Sequence, residues 1–142
     1  GSAALTLAKA LTVYEAFGEA DVPDDGQRYF VVSPAGWADL LQIDQFSRAE
    51  YVGEQDLPYA GGMTAKRWLG FLWFTHSGLS ISSTTRDCHA YHMSSVGLAT
   101  GSDVRTEMNY VPEKVSNLIT SYFSAGAVMI DNDGAIECQI TE

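Results

Sequence analysis

Asp87, Cys88, His89 and His92 lie within six positions, with His76 not far upstream. Thiolate and imidazole are the ligands zinc favours, in spaced pairs such as CxxC with HxxxH. The spacing here is different. In an extended chain adjacent side chains point to opposite faces. That separates Cys88 from His89, and His89 from His92. One tetrahedral site would need a sharp bend, so the expectation is a buried thiol beside surface or hydrogen-bonded histidines, with no metal site. A small hydrolase or metal enzyme built on this chain would have to use Cys88, His89 and His92, and that is the enzymatic alternative.

Other constellations are weaker. Gly78-Leu79-Ser80-Ile81-Ser82 approaches a nucleophile elbow but lacks its second glycine, and no helical pattern follows. Asp24-Asp25 and Asp131/Asp133 are paired carboxylates in turns. Asp131-Asn132-Asp133-Gly134 loosely resembles the start of a calcium loop. Strand patterns flank it where a calcium loop has helices, so a hairpin turn is expected. There is no GxxxxGK[ST] and no GxGxxG. Gly61-Gly62 near Lys66-Arg67 is the one grouping of glycines with basic residues. Trp68, Phe71, Trp73 and Phe74 read as core or interface aromatics. The expectation is therefore no catalytic, cofactor-binding or metal site, and no cofactor.

The elements that would carry these residues begin with a helix from Thr6 to Phe17, with Thr6 as N-cap. Leu7, Leu11 and Tyr14 share one side of it, with Ala10, Val13 and Phe17 beside them. An acidic turn follows, in which Gly26 allows positive φ. Tyr29 to Val32 reads as a buried strand, and Ser33-Pro34 opens a helix carrying Trp37, Leu40 and Leu41. Asp44 to Ala49 forms a short turn with Phe46, and Gly53 to Gly62 a loop. Trp68 to Thr75 reads as paired strands with a kink or bulge at Gly70. Ser77 to Asp87 is a polar loop or edge, His89 to Thr100 is extended, and Val104 to Tyr110 alternates as a half-buried strand. From Pro112, the residues Val115, Leu118, Ile119, Tyr122 and Phe123 follow helical spacing, and Gly126 would end that helix. Ala127 to Ile130 and Ala135 to Ile140 then form a hairpin around Asp131 to Gly134. The fold class is α+β, with helices flanking a mostly antiparallel sheet.

Composition narrows the function classes. The 142 residues suit one domain, and 46% are hydrophobic, enough for a core without disulfides. Cys88 and Cys138 are read as reduced, buried and intracellular, with a single disulfide as the alternative that nothing in the sequence demands. Eighteen acidic and eight basic residues give a net charge of −10, which opposes general nucleic-acid binding. No apolar run approaches the roughly 20 residues needed to span a bilayer, and no signal peptide with a basic leading region is expected. Gly1-Ser2 reads as the scar of a cleaved tag.

Several stretches together resemble one family, the major capsid proteins of tailed bacteriophages, which share a fold with encapsulins. They are ADVPDDGQRYFVVSPAGWADLL from Ala20 to Leu41, the Asp44–Phe46 turn, and GMTAKRWLGFLWF from Gly62 to Phe74. YHMSSVGLATGSDVRTEMNY from Tyr91 to Tyr110 and SAGAVMIDNDGAIECQI from Ser124 to Ile140 complete the series. The resemblance implies a structural, non-enzymatic subunit of an icosahedral shell, located in the virion capsid and assembled in the host cytoplasm. It implies residues 3–18 as the end of the peripheral domain's spine helix. Residues 19–142 would be the axial-type α+β domain with a C-terminal hairpin, together the C-terminal half of a subunit. The implied partners are other copies of the chain, with scaffolding or decoration proteins as further candidates. No specific nucleic-acid or membrane partner is implied. An encapsulin-like compartment shell is the alternative within this fold.

Overall fold

The computed structural model describes residues 4–47 and 65–141. The Gly53–Gly62 loop and the Gly61-Gly62 pair lie outside the described residues, as do the tag-like Gly1-Ser2 and the end of the Asp44–Ala49 turn. The described chain falls into two compact units, one comprising residues up to Ser95 and from Asp131 onward, the other Val96–Ile130.

The first unit is a six-stranded sheet with three helices on one of its faces. Helix α1 spans Leu7–Glu19, and the Thr6 hydroxyl accepts from the Lys9 N–H as its N-cap. Strand β1 is Arg28–Val32. Helix α2, Pro34–Leu41, opens on Ser33, whose Oγ accepts from the Gly36 N–H at 3.0 Å. A one-turn helix α3 covers Asp44–Ser47. The remaining strands are β2 (Ala65–Trp68), β3 (Phe71–Thr75), β4 (Ile81–Ser82), β5 (Thr85–His92) and, at the end of the chain, β8 (Ala135–Thr141). The order is β2-β3-β1-β5, with β5 also pairing β4 and β8. Only β1 and β3 run parallel; every other pairing in this sheet is antiparallel.

Strand alternation decides which side is covered. Arg28, Phe30 and Val32 of β1 are buried, while Tyr29 and Val31 between them are half-buried. Register puts Phe30 beside Trp73 on β3 and Ala90 on β5, and Cys88 beside Cys138 on β8. These residues form one core with Phe17 of α1, Leu40 of α2 and Phe46 of α3. Phe30 stacks on Trp73 with ring centroids 4.0 Å apart, and Phe17 meets Phe71 edge-on at 5.1 Å. Such pairs add about 0.5–1.5 kcal/mol each beyond the area they bury. Along α1 the buried stripe is Ala10, Val13 and Phe17, whereas Leu11 and Tyr14 stay exposed. The sequence placed both sets on one broad stripe; the sheet takes only the narrower side.

Two cations sit inside this core. Arg28 donates through Nε to the Pro23 carbonyl at 3.0 Å and through Nη2 to the Val22 carbonyl, and its guanidinium lies over the Phe17 and Phe71 rings. Lys66 donates to the Phe46 carbonyl and lies 4.6 Å from that ring's centroid. Buried charge is costly unless hydrogen-bonded, and both groups are satisfied by carbonyl oxygens and ring faces.

Three expectations are corrected. The kink at Gly70 is a two-residue hairpin turn between β2 and β3, with Leu69 at φ 50° and Gly70 at φ 76°. Positive φ at both positions is the primed turn that matches strand twist. The helix read from Pro112 to Phe123 is a strand, β7, spanning Ser116–Met129. The hairpin read across Asp131 to Gly134 does not form. Residues 127–129 pair with a strand of the second unit, and β8 pairs with β5.

Gly134 is required for a different reason from the one a hairpin would give. A Cβ built on it would fall 1.8 Å from Ser95 Oγ and 2.9 Å from Ser95 Cβ. Ser95 is itself buried, so it has little room to move. Gly134→Ala is expected to destabilise the chain by about 1–3 kcal/mol through overpacking. Ser95→Gly in the same chain should recover most of that loss. Urea unfolding of the single and double variants measures both, and a Gly134→Ala midpoint equal to the parent's would contradict the packing.

Candidate functional site

The residues singled out for chemistry are distributed by the pleat of β5. Cys88, Ala90 and His92 face the core, and His89 occupies the other side of the sheet, half-buried. Among the described residues no group of three His, Cys, Asp or Glu side chains is placed to hold a metal ion. Burial raises the Cys138 thiol pKa, with the nearby Lys9 charge opposing part of that rise. A thiol held neutral is a poor nucleophile. Cys138 lines a cleft of about 620 Å³ between α1 and β8, with Lys9, Thr12, Val13 and Ile136.

His92 makes contacts that its neighbours in sequence did not suggest. Its Nε2 lies 3.1 Å from Asp25 Oδ1, and its Nδ1 lies 2.7 Å from Ser94 Oγ. The Ser94 N–H points at the same Nδ1 at 3.3 Å, which marks that nitrogen as the acceptor and Nε2–H as the donor to Asp25. The order Asp, His, Ser is the one used to activate a serine nucleophile. Here Ser94 is two residues from His92, and its backbone shares the imidazole nitrogen with its hydroxyl. The trio pins the acidic turn to the end of β5. The Met93 N–H donation to the Gln27 carbonyl at 3.1 Å reinforces the same junction. Asp25 was legible only as a turn carboxylate, because its partner lies 67 positions away.

The second unit is an exposed ribbon. Strand β6 (Val96–Val111) pairs antiparallel with β7 through thirteen register positions, from Val96 opposite Met129 to Val111 opposite Ser116. Two irregularities interrupt β6, between Thr100 and Arg105. The tip is a short 3-10 turn, Pro112–Lys114, followed by Val115 at φ 47°. Leu118-Ile119 and Tyr122-Phe123 explain the misread helix. Adjacent apolar pairs four apart fit one side of a helix, but in a strand they place one residue on each face. Ser, Thr, Tyr and Phe dominate the stretch, and β6 supplies the partner that settles it as strand.

Register separates the two faces of the ribbon. One carries Val96, Leu98, Met108 and Tyr110 from β6, with Ile119, Phe123 and Met129 from β7. These seven side chains are each 40% to 76% exposed. Arg105 and Glu107 lie on the opposite face, where Glu107 accepts from the Tyr122 hydroxyl at 3.0 Å. Val104 to Tyr110 is thus a strand as expected, but it is exposed where a half-buried one was expected.

A family model described as phage capsid protein matches residues 1–142. The chain belongs to the phage capsid protein family. Membership places it among the structural proteins of the bacteriophage virion capsid. Its fold is shared with a solved chain of Mycobacterium phage Che8 at a TM-score of 0.77 and 18% identity, covering 96% of this chain and 50% of that one. It is also shared with a chain in the capsid structure of the cyanophage P-SCSP1u, at a TM-score of 0.67 and 18% identity, covering 95% and 45%. The capsid-family chain described above therefore spans about half the length of these two neighbours. No curated protein sequence matches it. Among its described residues no helix is long and apolar enough to cross a membrane.

Two predictions follow from the geometry of this capsid-family chain. The Gln27 N–H, first, and His92, second, hold the Asp25 carboxyl below its ordinary value of 3.8. A depressed folded pKa contributes stability that is full above the unfolded value and lost as pH falls through the folded one. The stability gap between the parent and Asp25→Asn should shrink as pH falls through and below 3.8, as thermal melts across that range would show. A gap that grows on acidification would refute the assignment. At the ribbon tip, Val115 is a β-branched residue at positive φ. Val115→Asn should relieve about 1 kcal/mol of strain and slow amide exchange along β6 and β7.

Proposed function

We propose that this chain is part of a subunit that assembles with many copies of itself into the icosahedral shell of a bacteriophage, and that it performs no catalysis. The observation that carries the reading is the match of the phage capsid family over the whole chain. The physical features are compatible with it. The core is closed by aromatic stacking, the best nucleophile candidates are a buried thiol and a turn serine, and the largest apolar exposure is an extended ribbon. A net charge of −10 suits a wall that encloses packaged nucleic acid without adhering to it. Within this reading, residues 3–18 are the end of a spine-type helix of the peripheral domain, and residues 19–142 are the axial-type domain. Other copies of the subunit are the principal partners, with scaffolding or decoration proteins in addition.

The test is expression of the whole coding sequence that carries this chain, followed by electron microscopy of the soluble fraction. Closed, uniform particles are expected. Folded subunits that form no particles, alone or with the products of neighbouring genes, would refute the shell reading.

A further inference from the structure

Cys88 on β5 and Cys138 on β8 stand directly opposite one another. Opposed residues of an antiparallel pair project from the same face, and both thiols enter the core. Neither is in a disulfide. They are 50 positions apart in sequence, and only the strand register brings them together. The ladder sets the spacing at this point. The His92 N–H donates to the Gly134 carbonyl at 2.9 Å, and bonded pairs recur at every second residue. Ala90 with Ile136, and Cys88 with Cys138, are therefore bonded pairs. Such pairs hold their Cα atoms about 5.5 Å apart, inside the disulfide range of about 4.4–6.8 Å. Their Cβ atoms lie about 4.5–5.5 Å apart, whereas a disulfide needs about 3.5–4.5 Å. Closure asks the two strands to approach by about 1 Å. Strand β8 can yield, because among the described residues it pairs with no strand but β5.

We propose that Cys88 and Cys138 form a reversible disulfide that staples β8 to the sheet when the chain meets a small-molecule disulfide as oxidant. The bond is argued from register and burial. Its occasion rests on the shell reading, in which the chain passes from a reducing host cytoplasm to an oxidising exterior. The order of attack follows from access. Cys138 is 8% exposed and lines the cleft between α1 and β8, whereas Cys88 is 0% exposed. The Cys138 thiolate attacks one sulfur of the oxidant, forming a mixed disulfide and releasing the first small thiol. The Cys88 thiolate then attacks the Cys138 sulfur and expels the second. Two protein thiols are oxidised by two electrons, the oxidant is reduced to two thiols, and these take up the two protons that the cysteines lose. Burial raises the Cys138 pKa and slows the first step, while the Lys9 charge works the other way and favours the thiolate. The Cβ spacing strains the product, so it is more easily reduced than an unstrained structural disulfide.

Incubation of the 142-residue chain with glutathione disulfide, followed by mass spectrometry of the intact chain and of its peptic peptides, tests this. The parent is expected to lose two hydrogens, with one peptide pair joining Cys88 to Cys138. It should regain them in a glutathione buffer of cytosolic poise. Cys88→Ser lacks the second thiol and should instead retain one glutathione on Cys138. Cys138→Ser should take up none while folded. The parent's readout needs no variant, so a serine substitution that fails to fold leaves the test intact. Closing a loop of 50 positions lowers the unfolding equilibrium constant by at most on the order of 1,000-fold, less the strain. The oxidised chain should therefore show a higher urea midpoint than the reduced one. A folded parent that keeps both thiols, while the urea-unfolded chain is oxidised in parallel, overturns the proposal. So does glutathione retained on the parent, a disulfide between two chains, a bond that survives the cytosolic buffer, or a urea midpoint unchanged or lowered by oxidation. Particles from the whole coding sequence whose thiols never join would overturn only the bond. A bond in the chain, with no particles from the whole coding sequence, would overturn the shell reading and leave the bond standing.

Discussion

Phe30 lying flat on Trp73 is the contact around which the sheet unit is organised. It joins β1 to β3, the one parallel pair in the sheet. Parallel pairing is slightly weaker per residue than antiparallel, and here it is reinforced by two large rings in contact. Phe71 extends the cluster to Phe17 on α1, and Trp68 extends it to Phe46 on α3. Arg28 sits at the same end, sandwiched near Phe17 and Phe71, and ties the Val22-Pro23 carbonyls to the sheet. The helices are therefore held by aromatic contacts to a single face. That leaves Tyr29, Leu72, Phe74 and Tyr91 half-buried on the other face.

The two units meet opposite physical requirements. The sheet unit has a buried core with its cations and capping groups paired. The ribbon has none of this and is exposed along both strands. A domain that finishes its own core gains stability alone, whereas a ribbon with an uncharged apolar face gains it only by contact. This division suits a structural protein.

Much of the sheet unit was legible in the sequence because its signals are local. Thr6 and Ser33-Pro34 are cap chemistry, Tyr29 to Val32 is a compact β-branched run, and Gly26 does adopt positive φ. The family resemblance drew on some of the same stretches, Ala20 to Leu41 among them, and also on Tyr91 to Tyr110 and Ser124 to Ile140, which reach into the ribbon. The strand β7 was not legible, because Leu118-Ile119 and Tyr122-Phe123 satisfy helical and extended periods equally. Only the partner strand, non-local in sequence, decides between them. The turn at Asp131 to Gly134 was rightly seen as a turn and wrongly joined, since local chemistry does not say which strand comes next to which. The Asp25–His92–Ser94 contact was invisible for the same reason. On β5 itself, alternation was enough to separate Cys88 from His89.

The return of β8 to β5 has a consequence in time. Ala135 pairs with Tyr91, so the sheet closes across a separation of 44 positions that contains the entire ribbon. Loop-closure entropy grows only logarithmically, so a long excursion costs little more than a short one. The order of synthesis is nonetheless fixed. Residues 96–130 leave the ribosome before the strand that brings Ile136, Cys138 and Ile140 to the sheet. The nascent chain thus displays its most apolar surface while the core lacks its last strand. The interval between emergence of the ribbon and emergence of β8 is the one in which a premature encounter between chains would catch them unfinished.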